Sequence, residues 1–120
     1  MKKLLLVDDE PTNLNLLRAI LRDRYQLLFA TNGPAALDAA RKHLPDLILL
    51  DVLMPDMDGI AVRRALDADA TTSDIPVVFA TALDAGDAAF SAELAMAAAT
   101  IAKPIDVDHL LALLAELCRP

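Results

Sequence analysis

Two carboxylates stand side by side at Asp8 and Asp9, followed by Glu10, and a third, Asp51, closes the apolar run Leu47-Ile48-Leu49-Leu50. A hydroxyl follows at Thr81 and an amine at Lys103. Brought together, Asp8, Asp9 and Asp51 repel one another, and without help at least one takes up a proton. A hard divalent cation removes that conflict. Mg2+ prefers oxygen ligands, keeps several waters and is commonly held by one or two carboxylates with phosphate oxygens. Lys103 adds a point charge facing the same acids. Alone it reads as a plain ion pair. Combined with the Thr81 hydroxyl and a metal it reads as a cradle for a phosphoryl group, whose transfer depends on positioning and charge stabilisation.

These groups meet only if the chain carries them to one edge. Short β-type runs cover Lys3–Val7, Gln26–Ala30, 46–50, 75–80 and Ala99–Ala102. Stretches with helical spacing lie between them. The first carries Leu14, Leu17, Ile20 and Leu21 on one face, and the second, over 34–43, closes on Arg41, Lys42 and His43, which suit a helix C-terminus. A third starts near Asp58-Gly59, a fourth covers about 87–97, and a fifth holds Leu110, Leu111, Leu113, Leu114 and Leu117 at core spacing. Such alternation predicts an α/β domain with a parallel sheet and helices on both faces. The unbroken runs 47–50 and 77–80 fit central strands buried on both sides. Ligands of open α/β sheets bind at the carboxyl ends of the strands. Asp8 and Asp9, Asp51, Thr81 and Lys103 all follow predicted strands, so four of the five strands deliver a functional group to one edge. The second strand delivers Thr31 and Asn32, to which no role is assigned.

Composition bounds the answer. A chain of 120 residues with 56% hydrophobic content is long enough for one domain with a real core. No apolar run approaches the roughly 20 residues that a membrane span requires. A net charge of −7 opposes binding to a nucleic-acid backbone and leaves room for a cation. The single cysteine, Cys118, excludes an internal disulfide and a multi-cysteine metal site. The few apolar residues before Asp8 are too short for a signal-peptide core, so a cytoplasmic location is expected.

Val7-Asp8-Asp9-Glu10-Pro11, the stretch from Leu49 through Asp51 to Asp58-Gly59, Ala80-Thr81-Ala82 and Lys103-Pro104 together resemble the receiver domain of bacterial two-component response regulators. The match covers essentially the whole chain in order and spacing. The resemblance implies a flavodoxin-like (βα)5 fold with strand order 2-1-3-4-5, as one receiver domain over 1–120 with no output domain in this chain. It implies that Asp51 is the phosphoacceptor, receiving its phosphoryl group from a sensor histidine kinase or a histidine phosphotransfer protein. Asp9 would bind Mg2+ (or Mn2+) directly and Asp8 largely through water, with Asp51 and the Leu53 backbone carbonyl as the remaining metal ligands. Thr81 and Lys103 would each contact a phosphoryl oxygen. The Lys103–Pro104 bond would be cis, and Gly59 would permit the turn into the third helix. The chain would be a signalling switch rather than an enzyme, catalysing only its own phosphotransfer and dephosphorylation. Its output face would comprise the fourth helix, fifth strand and fifth helix, engaging a second copy, a fused output domain or another protein.

Three positions depart from the family pattern. The usual aromatic switch residue is Thr100 here, which has no ring to move between buried and exposed positions. The Gly-Ala that commonly ends the fourth helix is Met96-Ala97, and the aromatic after Lys-Pro is Ile105. Leu53 and Leu83 are apolar beside the expected path of an attacking water, which favours a long-lived phosphorylated state.

Simpler readings exist for several residues. Asp8 to Glu10 also suit a solvated turn that caps the first helix, and Asp58 suits a cap for the third. His43, His109, Arg63 and Arg64 read as surface residues, and Cys118 as a partly buried helix residue without chemistry. A haloacid-dehalogenase type of phosphohydrolase needs a second Asp two positions after the nucleophile, where Leu53 stands. A receiver-like interaction module that is never phosphorylated is the alternative, although such relatives have usually lost an acid or the lysine. No Gly-rich loop follows the first strand, which disfavours flavin or dinucleotide binding.

Overall fold

The computed structural model describes residues 1–55, 57–81, 99–103 and 105–118. Its elements are β1 (Lys3–Val7), α1 (Pro11–Leu21), β2 (Gln26–Ala30), α2 (Gly33–His43), β3 (Leu47–Asp51), α3 (Gly59–Asp67), β4 (Val77–Thr81), β5 (Ala99–Ala102) and a C-terminal helix (Val107–Leu117). The five strands form one parallel sheet in the order β2-β1-β3-β4-β5, the expected flavodoxin-like topology. Among the described residues no helix is long and apolar enough to cross a membrane. The predicted helix over 87–97, the Met96-Ala97 pair, Leu83, and Pro104 with its peptide bond lie outside the described residues.

Side-chain alternation along each strand divides the core in two. Leu4 and Leu6, Leu47 and Leu49, Val78 and Ala80, and Ile101 pack with Leu14, Leu17 and Leu21 of α1 and with Leu110 and Leu114 of the C-terminal helix. The residues between them, Leu5 and Val7, Ile48 and Leu50, Val77 and Phe79, pack with Ala36 and Ala40 of α2 and Ile60, Val62 and Leu66 of α3. β1, β3 and β4 are therefore apolar at nearly every position because both of their faces are covered. Each fully buried aliphatic side chain contributes about 1.5–3 kcal/mol. β2, at the edge, leaves Gln26 and Phe29 exposed.

Helix ends follow local chemistry. Pro11 enters α1 at its first position, where its missing N–H costs nothing. Asn32, Asp58 and Asp106 cap α2, α3 and the C-terminal helix by accepting from Ala35, Ala61 and His109 N–H, each cap being worth about 1 kcal/mol. Asp58 thus caps as expected, and Asn32 acquires a role that the sequence reading did not give it. The acids before α1 do not cap it in that way: Glu10 sits at the N-cap position without a side-chain bond. Thr72, fully buried, donates its hydroxyl to the Leu66 carbonyl at 2.8 Å and closes the end of α3.

Boundaries shift where backbone bonding decides them. β3 runs one residue later than expected because Asp51 pairs with Ala80 and Val52 N–H still donates to the Ala80 carbonyl. β4 begins after Pro76, which has no N–H to offer the ladder.

Candidate functional site

Strand parity selects the face on which the site forms. Asp8 extends the row Leu4–Leu6, Asp51 the row Leu47–Leu49, and Lys103 the row Ala99–Ile101. All three rows belong to the side of the sheet covered by α1 and the C-terminal helix. At the carboxyl edge, where the apolar rows end, their polar successors meet.

Lys103 Nζ lies 3.1 Å from Asp8 Oδ2 and 3.1 Å from Asp51 Oδ2. Asp8 and Asp51 are both buried, and Asp9 is half-buried. One carboxylate oxygen from each of Asp8, Asp9 and Asp51 can be chosen so that all lie within 4.8 Å of one another. Asp8 is held firmly: its Oδ1 accepts Glu10 N–H at 2.9 Å, and its Oδ2 accepts from Asn13 Nδ2 at 3.1 Å besides Lys103. Asp51 Oδ1 accepts Leu53 N–H at 3.3 Å.

Burial pushes the Asp51 carboxyl above its ordinary range, with the hydrogen bond and charge of Lys103 pulling it part of the way back. For Lys103, burial acts to lower the ammonium's pKa, but its bonds to Asp8 and Asp51 outweigh burial and hold it above the usual value. Three carboxylates against one ammonium leave a net charge of −2 when all are ionised. A hard divalent cation neutralises that charge, and these oxygen donors suit it. No histidine or cysteine joins this group among the described residues.

The other expected residues fall around this centre. Thr81, the last residue of β4, is buried, and its carbonyl accepts Lys103 N–H at 2.9 Å, tying the base of the lysine to the neighbouring strand. Leu53 follows Asp51 on the surface, 49% exposed. Thr100 is exposed on the edge strand β5 and Ile105 is half-buried. Gly59 serves differently from the expectation. Its φ is not positive, so no left-handed turn calls for glycine there. Instead its Cα packs against β3: a Cβ at this position would collide with the Asp51 carbonyl and stand 2.9 Å from Val52 Cα. Its N–H donates to the Val52 carbonyl at 2.9 Å.

The surface reading of the histidines and arginines holds in part. His109 is exposed, His43 is half-buried, and Arg63, also half-buried, lies 3.6 Å from Asp67. Cys118 is buried rather than partly buried, and its carbonyl accepts the Tyr25 hydroxyl at 3.0 Å. Asn13 was absent from the sequence candidates. The signal available was a weak helix former in the first turn of α1, five residues after Asp8.

The comparisons with known proteins agree with this geometry. The family model described as "Response regulator receiver domain" matches residues 4–115. Response regulator PleD of Caulobacter vibrioides is 44% identical over 118 residues, covering 98% of this chain and 26% of PleD, so the chain spans about a quarter of that relative. Protein PilH of Pseudomonas aeruginosa is 37% identical over 112 residues, covering 92% of this chain and 93% of PilH. The receiver domain of the sensor histidine kinase PA1611 from Pseudomonas aeruginosa, solved with a magnesium ion coordinated in its active-site cleft, superposes with a TM-score of 0.86. That structure is 27% identical, covering 97% of this chain and 96% of its own. The match over nearly all of the chain, on a sheet that gathers Asp8, Asp9, Asp51 and Lys103 at one edge, means that this chain belongs to the response regulator receiver domain family.

Proposed function

We propose that this receiver is a phosphorylation-driven switch whose phosphoacceptor is Asp51. The observation that carries the reading is Lys103 Nζ at 3.1 Å from both Asp8 and Asp51 within a three-carboxylate cluster. The donor is the phosphohistidine of a sensor histidine kinase or a histidine phosphotransfer protein. An Asp51 carboxylate oxygen attacks phosphorus as the P–N bond breaks. The bonding electrons leave with the imidazole nitrogen, which then takes a proton from solvent. The product is an acyl phosphate on Asp51.

Asp9 would hold Mg2+, or Mn2+, directly and Asp8 through water, with Asp51 and the Leu53 carbonyl as the remaining ligands. A cation bound there would supply neutralisation of charge on the phosphoryl oxygens. Lys103 exchanges part of its carboxylate pairing for a phosphoryl oxygen, and the Thr81 hydroxyl takes another. Because Lys103 N–H is bonded to the Thr81 carbonyl, movement at either residue strains both β4 and β5. Thr100, exposed on β5, has no ring to swing, so the output face is read through backbone displacement and the Thr81 hydroxyl. That face, which includes β5 and the C-terminal helix, receives a second copy or a fused output domain. Leu53 keeps attacking water away from the acyl phosphate, and Leu53→Asn shortens its lifetime.

Intact-mass analysis with Mg2+ and acetyl phosphate or phosphoramidate tests the reading. One added phosphoryl group is expected, absent without metal and absent in Asp51→Asn. If the folded, Mg2+-binding protein gains no phosphoryl group from either small donor or from a phosphorylated histidine phosphotransfer protein, the reading is wrong and the chain is an interaction module.

A further inference from the structure

Asn13 occupies a costly position for its side chain. It is the third residue of α1, where asparagine is a weak helix former. It lines a cavity of about 420 Å3 whose other walls include Leu16, Leu17, Ile20 and Ile105, so an apolar residue would both favour the helix and suit the cavity. Its amide instead donates to Asp8 Oδ2 at 3.1 Å.

That oxygen also accepts from Lys103 Nζ at 3.1 Å, and Asp8 Oδ1 accepts Glu10 N–H. Lys103 is therefore shared between Asp8 and the proposed phosphoacceptor, whereas Asn13 reaches Asp8 alone within the acidic cluster. The two donors differ in a second respect. Lysine adds positive charge that competes with a divalent cation, and a carboxylate in place of Asn13 would add to the repulsion. A neutral amide fixes the orientation of Asp8 while leaving the charge of the site unchanged.

We propose that Asn13 is a positioning residue for the cation, keeping Asp8 oriented toward the cation's bound water when Lys103 is drawn toward the phosphoryl group on Asp51. The proposal rests on the phosphorylation reading above. Supporting residues that orient a metal's carboxylates commonly change affinity by about tenfold or more when removed. Asn13 acts by donating, so its loss is felt most where Lys103 no longer helps.

The test is calorimetric or NMR titration of Mg2+ onto the whole chain, with and without beryllofluoride as a phosphoryl mimic. Wild type, Asn13→Ala and Asn13→Leu are compared, Leu keeping the bulk without the donor. Both variants are expected to weaken Mg2+ binding about tenfold, and more with beryllofluoride. Their metal-free unfolding midpoints are expected to fall only modestly, because the lost bond to Asp8 is partly offset by residues that favour helix more than asparagine. In an Asp8→Asn background, adding Asn13→Ala is expected to change affinity by less than about twofold, because the partner through which it acts has been altered. Wild-type affinity in both single variants, or a full tenfold loss in the Asp8→Asn background, overturns the proposal. Failure of the wild type itself to bind Mg2+ would instead overturn the phosphorylation reading beneath it.

Discussion

Lys103 Nζ reaches Asp51 Oδ2 at 3.1 Å although their strands are not neighbours: β4 lies between β3 and β5. The long, flexible stem of lysine spans that strand while its backbone N–H stays tied to the Thr81 carbonyl. The pair thus joins the phosphoacceptor proposed on β3 to the edge of the sheet proposed as output. It also serves the metal-free protein by offsetting repulsion between Asp8 and Asp51.

Removing that offset should be visible without any phosphoryl donor. Lys103→Met is expected to destabilise the metal-free protein by about 1–3 kcal/mol, since two buried carboxylates lose a charged hydrogen-bond donor. The same change removes the cation's competitor, so Mg2+ should bind more tightly and restore much of the lost stability. Urea denaturation with and without Mg2+ checks both directions.

Asp51 gives a pH dependence of defined sign. Its folded pKa lies above the ordinary 3.8, chiefly through burial, so the folded chain binds a proton there more readily than the unfolded chain. Its contribution to stability is present below the unfolded pKa and is lost as pH rises through the folded value. Asp51→Asn should therefore be more stable than wild type near neutrality without metal. The difference should close on acidification below about pH 3.9. Mg2+ at a hundredfold excess over Kd should add about 2.7 kcal/mol to wild type, and less to Asp51→Asn, which has lost a metal-facing carboxylate, so the difference should shrink or change sign at neutral pH. Paired denaturation curves across pH would show it.

Gly59 lies against the backbone of Asp51 and Val52, where a flexible side chain is not available to yield. Gly59→Ala is expected to cost about 1–3 kcal/mol. It should also weaken Mg2+ binding by displacing the segment that contains Leu53. Unfolding midpoints and metal titration separate the two effects. Wild-type behaviour in both would mean that the loop gives way freely.

Leu44, at the end of α2, is the one described non-glycine residue with positive φ, at 46°. Left-handed backbone costs an L-residue about 1–2 kcal/mol, and the exposed Leu44 side chain recovers little of it by packing. Leu44→Gly should raise stability by about 0.5–1 kcal/mol, after allowing for the greater freedom of glycine when unfolded. Thermal unfolding measures the gain, and phosphorylation should be unaffected.

How far the sequence could be read follows from the kind of constraint involved. Sheet order came with the family resemblance. The meeting of Asp8, Asp51 and Lys103 was legible because each extends an apolar strand and parallel strands share one carboxyl edge. Asp58 was legible as a cap because capping is local. Asn13 was not, because its bond to Asp8 depends on how α1 crosses the sheet edge, which local spacing does not set. Gly59 was assigned a turn, the usual service of glycine, whereas its constraint is a contact with β3 that only the packed loop reveals. Thr72 and Tyr25 reach the carbonyls of Leu66 and Cys118, and the second bond spans 93 positions of sequence.

The switch proposed here requires that Asp51 itself carry the phosphoryl group, rather than Asp8 or Asp9 beside it. Borohydride reduction after phosphorylation converts an acyl phosphate into an alcohol, and peptide mass mapping then locates the altered side chain. One modified position is expected, Asp51, formed only with Mg2+ and absent in Asp51→Asn. Modification at Asp8 or Asp9, or undiminished labelling of Asp51→Asn, would contradict it.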